Sequence, residues 1–277
     1  MQFGEFQLDA ISDGTMRLDG GAMFGVVPKV VWERIIKPDE KNRILIGLNC
    51  LLVRTGTENI LIDTGIGEKW SEPQQAIYAI THPPTIRTSL AALGLQPSDI
   101  TIVINTHLHF DHAGGNTCFN AAGELVPTFP QAKYYVQKNE FAHAQQPHER
   151  DRASYLVENW QPLVATNQLI LIEGEQEIVP GVTVFPVPGH NLDTQLVKVE
   201  TGTKKAVFFA DIIPTTAHLP FAWVMGYDLY PVELLAQKKR LIPQAAQEEW
   251  LCIFEHDSQM PWGRIIYQDN RYQVVPF

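Results

Sequence analysis

The run Thr106-His107-Leu108-His109-Phe110-Asp111-His112-Ala113-Gly114-Gly115 brings three imidazoles and one carboxylate into six positions. Neutral imidazole and carboxylate are ligand types of zinc and its first-row neighbours. The lack of cysteine ligands favours a catalytic over a structural site. The run follows the apolar stretch 100–105, so its donors fall where a strand hands over to a loop and can converge on a metal. Gly114 and Gly115, just beyond them, let other backbone approach closely.

Three further donors stand singly. His190 follows Pro186-Val187-Pro188-Gly189, Asp211 follows the apolar run 206–209, and His256 follows 251–254. Each lies just past the C-terminal end of a strand-like run, so all can line one edge of paired sheets. Seven donors from four segments suit two metal ions better than one.

The elements that must position these donors are mostly strands. β-branched and aromatic runs bounded by Gly, Pro, Asn or Asp predict strands at 48–54, 59–62, 100–105, 133–137, 169–172, 182–187, 195–199, 206–209, 251–254 and 264–267. Helices are expected at 85–93, 138–144, 152–160 and 231–247, the last opening on Pro231. In that last helix Leu234, Leu235, Leu241 and Ile242 recur at helical spacing, and Lys238, Lys239 and Arg240 between them read as its solvated face. Strands outnumber helices about two to one, which suits two sheets with helices on their outer faces rather than regular βαβ alternation.

Composition bounds the function classes. With 21 Lys and Arg against 31 Asp and Glu the formal charge is −10, which argues against nucleic acid or an anionic membrane as the main partner. A chain of 277 residues buries about three quarters of its unfolded surface and needs no structural metal for support. No linker, repeat or low-complexity segment divides it, so one domain over 1–277 is expected. The start lacks the basic and then apolar pattern of a signal peptide, and no apolar run nears the roughly 18 residues of a membrane span. The three cysteines, Cys50, Cys118 and Cys252, are odd in number and far apart. They read as free thiols in a reducing, cytoplasmic compartment.

HxHxDH after a strand, followed by single His, Asp and His residues after later strands, resembles the metallo-β-lactamase-fold hydrolase superfamily. Within it the chain is most similar to the branch of N-acyl-homoserine lactonases and methyl parathion hydrolase, over about 48–257. The resemblance implies an α/β fold, an αββα four-layer sandwich with the active site at one edge of the two sheets. It implies that His107, His109 and His190 bind one metal, that Asp111, His112 and His256 bind a second, and that Asp211 bridges them. Asp63, in Leu61-Ile62-Asp63-Thr64-Gly65, matches a motif that supports the metal loop from behind; turn chemistry after a strand is its bland alternative. Zinc is the default ion, with iron, manganese or cobalt compatible.

Departures narrow the choice. Diiron flavoproteins of this fold carry Glu where His109 stands, and true β-lactamases lack the carboxylate that Asp211 supplies. RNA-processing members rely on basic surfaces, and the C-terminal glutathione-binding segment of glyoxalase II is not recognisable. The well-known homoserine lactonases have a Tyr three residues after the bridging Asp, where this chain has Pro214. Tyr227 or Tyr230 could reach the same place. The segments 20–28 and 219–225 are apolar, rich in Gly or Pro, and without helix or strand period. Met23, Phe24, Phe221, Trp223 and Tyr227 are therefore the candidates to wall a substrate pocket, with core filling as the alternative. His82, His143 and His148 read as surface residues, and His218 as a support near Asp211.

The expected function is hydrolysis of a small ester or lactone. Two cations sharing Asp211 would lower the pKa of a bridging water toward neutrality, and Asp111 would pass a proton to the leaving oxygen. A phosphotriesterase, a glyoxalase II-like thioesterase and an RNA-processing nuclease follow in that order. A homodimer stays open as the assembly.

Overall fold

Short aliphatic, β-branched runs between turn residues become strands because they are too brief for a stable helix and a sheet pairs their backbone while burying both faces. The computed structural model describes residues 1–277. In chain order the strands are β1 (Gln2–Phe3), β2 (Phe6–Asp19), β3 (Arg43–Arg54), β4 (Asn59–Ile62), β5 (Ile102–Ile104), β6 (Thr117–Phe119), β7 (Leu125–Pro127), β8 (Lys133–Gln137), β9 (Leu169–Ile172), β10 (Gln176–Val179), β11 (Val182–Pro186), β12 (Gln195–Thr201), β13 (Lys204–Phe208), β14 (Leu251–Ile253), β15 (Trp262–Gln268) and β16 (Arg271–Val275). They form two seven-stranded sheets, ordered β1-β2-β3-β4-β5-β8-β9 and β10-β11-β12-β13-β14-β15-β16, and the hairpin β6-β7. The chain divides into two compact units, Met1–Gly14 with Leu48–Gln176, and Thr15–Gly47 with Glu177–Phe277.

In the first unit β4, β5, β8 and β9 run parallel. Ile62 of β4 pairs with Ile104 of β5, so the residues just past both strands emerge side by side. Asp63 and the segment 106–115 are those residues. Beneath them Leu52, Leu61, Leu90, Val103 and Tyr134 are fully buried in one apolar cluster, each such side chain contributing about 1.5–3 kcal/mol by leaving water.

The second unit repeats the device. β13 and β14 are parallel and pair Phe208 with Ile253, and Asp211 and His256 each follow three residues later. β12 is antiparallel to β13, with Val197 opposite Phe208, so the start of β12 lies at the same end. The loop joining β11 to β12 carries His190 there. The helix Pro231–Gln247 covers this sheet with Leu234, Leu241, Ile242 and Ala245.

Three expectations need correction. Residues 152–160 form no α-helix: Tyr155 is drawn into an isolated bridge with His109, and tertiary pairing overrides helical pattern there. The segment 20–28 does hold a short helix, Gly20–Phe24, begun by Asp19 accepting from the Ala22 N–H at 2.9 Å. Lys238 is not on a solvated face but fully buried. It stands four residues after Leu234, three before Leu241 and four before Ile242, so helical geometry places it on the apolar stripe. Its ammonium donates to the carbonyls of His218, Trp223 and Pro220 at 2.5, 2.7 and 3.0 Å, while Lys239 and Arg240 are exposed.

Candidate functional site: two sets of buried metal donors

In the first unit Asp63 organises the histidine loop from one carboxylate. Its Oδ1 accepts the Thr106 N–H at 2.8 Å and its Oδ2 accepts the Thr106 hydroxyl at 2.6 Å. Because that hydroxyl donates to Asp63, it accepts from Nδ1 of His107, 3.1 Å away. Nδ1 of His112 also lies 3.1 Å from Asp63 Oδ2. Both imidazoles therefore carry their proton on Nδ1 and present the Nε2 lone pair, the form a metal takes. Asp63 sits at φ +54°, a conformation a non-glycine residue holds only when its surroundings impose it.

The two glycines that close the histidine run have a direct steric reason. A Cβ on Gly115 would lie 2.1 Å from the Thr64 carbonyl oxygen, and one on Gly114 would lie 2.1 Å from that of Ile66. The loop 64–67 thus rests on the glycines, with the Thr64 N–H and hydroxyl donating to the His112 carbonyl at 2.8 and 3.0 Å. From the other side Glu140, buried in the helix Lys138–Gln145, accepts the Leu108 N–H at 2.8 Å and the Tyr155 hydroxyl at 3.1 Å. His109 packs edge-on against Tyr155, ring centres 4.7 Å apart. Asp111 Oδ1 lies 3.9 Å from Nε2 of His112.

In the second unit the carboxylate of Asp211 stands between two imidazoles. Its Oδ2 is 3.1 Å from Nε2 of His190, and its Oδ1 is 3.1 Å from Nε2 of His256. The far nitrogens are fixed by acceptors: Nδ1 of His256 faces the Gly47 carbonyl at 3.0 Å, and Nδ1 of His190 faces Asp228 Oδ1 at 2.9 Å. The Gly47 carbonyl and the ionised Asp228 carboxylate can only accept, so Nδ1 of each ring carries the proton and the neutral imidazole turns its Nε2 lone pair toward Asp211. Lone pairs facing at this range repel unless a cation lies between them. Two donors on a tetrahedral metal at about 2.05 Å sit about 3.3 Å apart, so the spacing fits one ion for each Asp211 oxygen. The residue before Asp211, Ala210, is held at φ +43°.

Asp228 was not among the residues singled out from sequence. It is almost fully buried, its Oδ2 accepts the Met225 N–H at 2.6 Å, and burial pushes its carboxyl up while His190 draws it down. Of the proposed pocket wall, Met23 and Phe24 are buried, and Phe24 stacks on His218 and Trp32 and meets Trp223 edge-on. Phe221 instead faces Tyr272, with ring centres 5.8 Å apart, and Tyr227 is exposed. His218 is fully buried, which pushes its imidazole down to about 4. It bridges Thr215 Oγ1 and the Met23 carbonyl, each at 2.8 Å. In the first unit an aromatic trio that sequence reading passed over, Trp70, Tyr78 and Phe110, packs beside Asp111, whose charge adds to burial in raising the Tyr78 phenol.

The metallo-beta-lactamase superfamily profile matches residues 45–256, a span that holds every one of these donors. The chain belongs to the metallo-β-lactamase superfamily. It has the metallo-β-lactamase fold and is a metal-dependent hydrolase. It is 30% identical over 236 residues to an N-acyl homoserine lactonase of Bacillus cereus, covering 79% of this chain and 85% of the relative. A Staphylococcus aureus structure described as a probable metal-dependent hydrolase superposes with a TM-score of 0.89 at 34% identity, covering 100% of this chain and 99% of that one. A dizinc quorum-quenching lactonase in complex with its product N-hexanoyl-L-homoserine shares the fold, with a TM-score of 0.83, 20% identity and coverage of 100% and 96%. No helix is long and apolar enough to cross a membrane.

Proposed function

We propose that this superfamily member is a dinuclear hydrolase of a small lactone or ester, N-acyl-homoserine-lactone-like substrates foremost, working as one domain over 1–277 in the cytoplasm without nucleic acid or membrane. The observation that carries the reading is Asp211, whose two oxygens face two different imidazoles at the same 3.1 Å. His107, His109 and His190 would hold one ion, zinc by ligand type, Asp111, His112 and His256 would hold the other, and Asp211 would serve both. When bound, such a pair supplies Lewis acidity for a carbonyl and a water acidic enough to lose its proton near neutrality.

The chain's own residues do the rest. The Nδ1 partners Thr106, Asp63, Asp228 and Gly47 lock the imidazoles of His107, His112, His190 and His256 in one tautomer each, so no reorientation of these four is required as charge develops. Asp111, through a carboxylate oxygen, accepts the proton that the attacking water gives up and passes that same proton to the alkoxide that leaves when the lactone opens. Met23, Phe24 and Trp223, the last meeting the Phe24 ring edge-on, supply the wall for a hydrophobic arm, whereas Phe221 and Tyr227 stand apart from them. The 30% identity to a protein named N-acyl homoserine lactonase supports the substrate class.

The test is elemental analysis joined to a turnover screen of zinc-, manganese- and cobalt-loaded protein against acyl lactones, aryl esters, phosphotriesters, hydroxyacyl-glutathione and RNA. The expected result is about two ions per chain and the highest kcat/KM on a lactone. Asp211→Asn keeps shape but removes charge, and lowers metal content and turnover by orders of magnitude. One ion per chain with no gain on metal addition, or near-normal activity of Asp211→Asn, overturns the dinuclear assignment.

A further inference from the structure

Apart from the seven donors, imidazole and carboxylate groups converge once more, at the end of the helix Lys138–Gln145 in the first unit. His143, in the last turn of that helix, places Nε2 2.6 Å from Asp151 Oδ2. His148 places Nδ1 2.9 Å from Asp151 Oδ1. The two imidazoles meet nearly edge-on with ring centres 5.1 Å apart, and donor atoms of all three residues lie within 4.8 Å of one another. The Asp151 side chain is only 6% exposed, yet His143 and His148 are 28% and 44% exposed. The carboxylate is sunk beneath a door of two imidazoles that solutes can reach.

Asp151 Oδ1 is shut off from solvent and accepts no hydrogen bond; His148 approaches it without donor geometry. A buried carboxylate oxygen left this way is costly, and a cation held between it and the imidazoles removes the cost. The backbone is already folded for the purpose. Asp151 N–H and Arg152 N–H both donate to the His148 carbonyl, at 3.2 and 3.0 Å, so a ligand meets a formed turn and not a loop it must order.

We propose that His143, His148 and Asp151 form a separate site for a borderline transition-metal cation, Zn²⁺ or its neighbours Ni²⁺ and Cu²⁺. Two imidazoles and one carboxylate are the donors these ions select, whereas Mg²⁺ and Ca²⁺ require oxygen throughout. Three protein donors leave at least one position to water, so binding is weaker and more exchangeable than at a closed structural site. Its place in the fold assigns it a clamping role. The ion joins the end of the helix to the turn 148–152, and that same helix supports the backbone between His107 and His109 through Glu140.

The experiment titrates Zn²⁺ into the full-length protein at neutral pH, counting ions by elemental analysis after equilibrium dialysis and recording the thermal midpoint at each concentration. His148→Ala removes an exposed ligand, and Asp151→Asn removes the buried one while keeping its shape. The expected result is that each variant binds one ion per chain fewer than the wild type at saturation. His148→Ala should also lose the last Zn²⁺-dependent rise in thermal midpoint while its turnover stays within twofold. Equal numbers of bound ions in wild type and both variants would overturn the proposal, and the cluster would then be an ion pair of histidines around a carboxylate. The difference between proteins is read, not the total, so failure of the dinuclear assignment leaves this test intact.

Discussion

Asp228→Asn isolates a single proton. The wild-type carboxylate accepts from both neighbours, Nδ1 of His190 at 2.9 Å and the Met225 N–H at 2.6 Å. An amide of the same shape has one accepting end and one donating end. With its oxygen on Met225, its NH₂ faces His190, whose Nδ1 must then accept; the ring proton moves to Nε2, and the lone pair aimed toward Asp211 is lost. With the amide reversed, its NH₂ opposes the Met225 N–H and that backbone bond is lost, at about 1–3 kcal/mol for an unsatisfied buried donor. Either way the ligand is mis-set. Loss of such supporting bonds weakens metal affinity or activity by about 10–100-fold, or about 1.4–2.8 kcal/mol. Competition with a chromophoric zinc chelator measures the affinity, and kcat/KM at saturating zinc measures what metal excess restores. A variant that holds zinc within twofold of wild type, with unchanged kcat/KM, would refute the claim that Asp228 sets the tautomer of His190.

Much of the frame was legible because strands that deliver donors are short, apolar and sharply bounded. The strands 59–62, 133–137 and 169–172 and the helix 231–247 were predicted with the limits observed. What escaped has local causes. In β2 the buried residues shift phase, Phe6 and Leu8, then Ile11 and Asp13, then Met16. Gly14, at φ +98° with backbone oxygen 2.3 Å from where a Cβ would stand, is where the later shift occurs. A strict two-residue alternation therefore fails to find the strand. Lys238 is the opposite case, since spacing places it on the apolar stripe of the helix while its charge is the mark of a solvated residue.

The candidate donors stood out in the sequence for a physical reason, and the groups that hydrogen-bond to them were hidden for another. The candidate donors follow the ends of β5, β11, β13 and β14, so residue type and strand pattern together mark them. The groups that orient them need only reach them in space: Asp228 lies 38 residues after His190, and Glu140 lies 32 after Leu108. A single carboxylate inside Met225-Gly226-Tyr227-Asp228, flanked by aromatic and apolar residues, was the only local signal. Asp63 was the exception because its motif came with the resemblance, and the structure shows how one side chain can serve Thr106, His107 and His112 together.

Gly115→Ala should cost about 1–3 kcal/mol through overpacking, read as a lower thermal midpoint, because its Cβ meets the Thr64 carbonyl at 2.1 Å; an unchanged midpoint would mean the loop 64–67 moves freely. Trp223→Ala should lower kcat/KM more for long acyl chains than for short ones, since each buried CH₂ contributes about 0.8 kcal/mol. Equal losses would assign Trp223 to packing on Phe24 alone. Lys238→Met tests a pH dependence whose sign is fixed. Burial pushes the Lys238 ammonium down to about 7, against about 10.4 in the unfolded chain. Between those values the unfolded state binds more protons than the folded one, so this residue makes stability rise with pH across that window and contributes no slope below it. At about 1.4 kcal/mol per pH unit over about three units, the wild type gains on the order of 4 kcal/mol relative to Lys238→Met between pH 7 and 10. Urea unfolding at stepped pH measures the difference, and two parallel stability curves would show that the three carbonyls from His218, Pro220 and Trp223 hold the ammonium charged despite its burial.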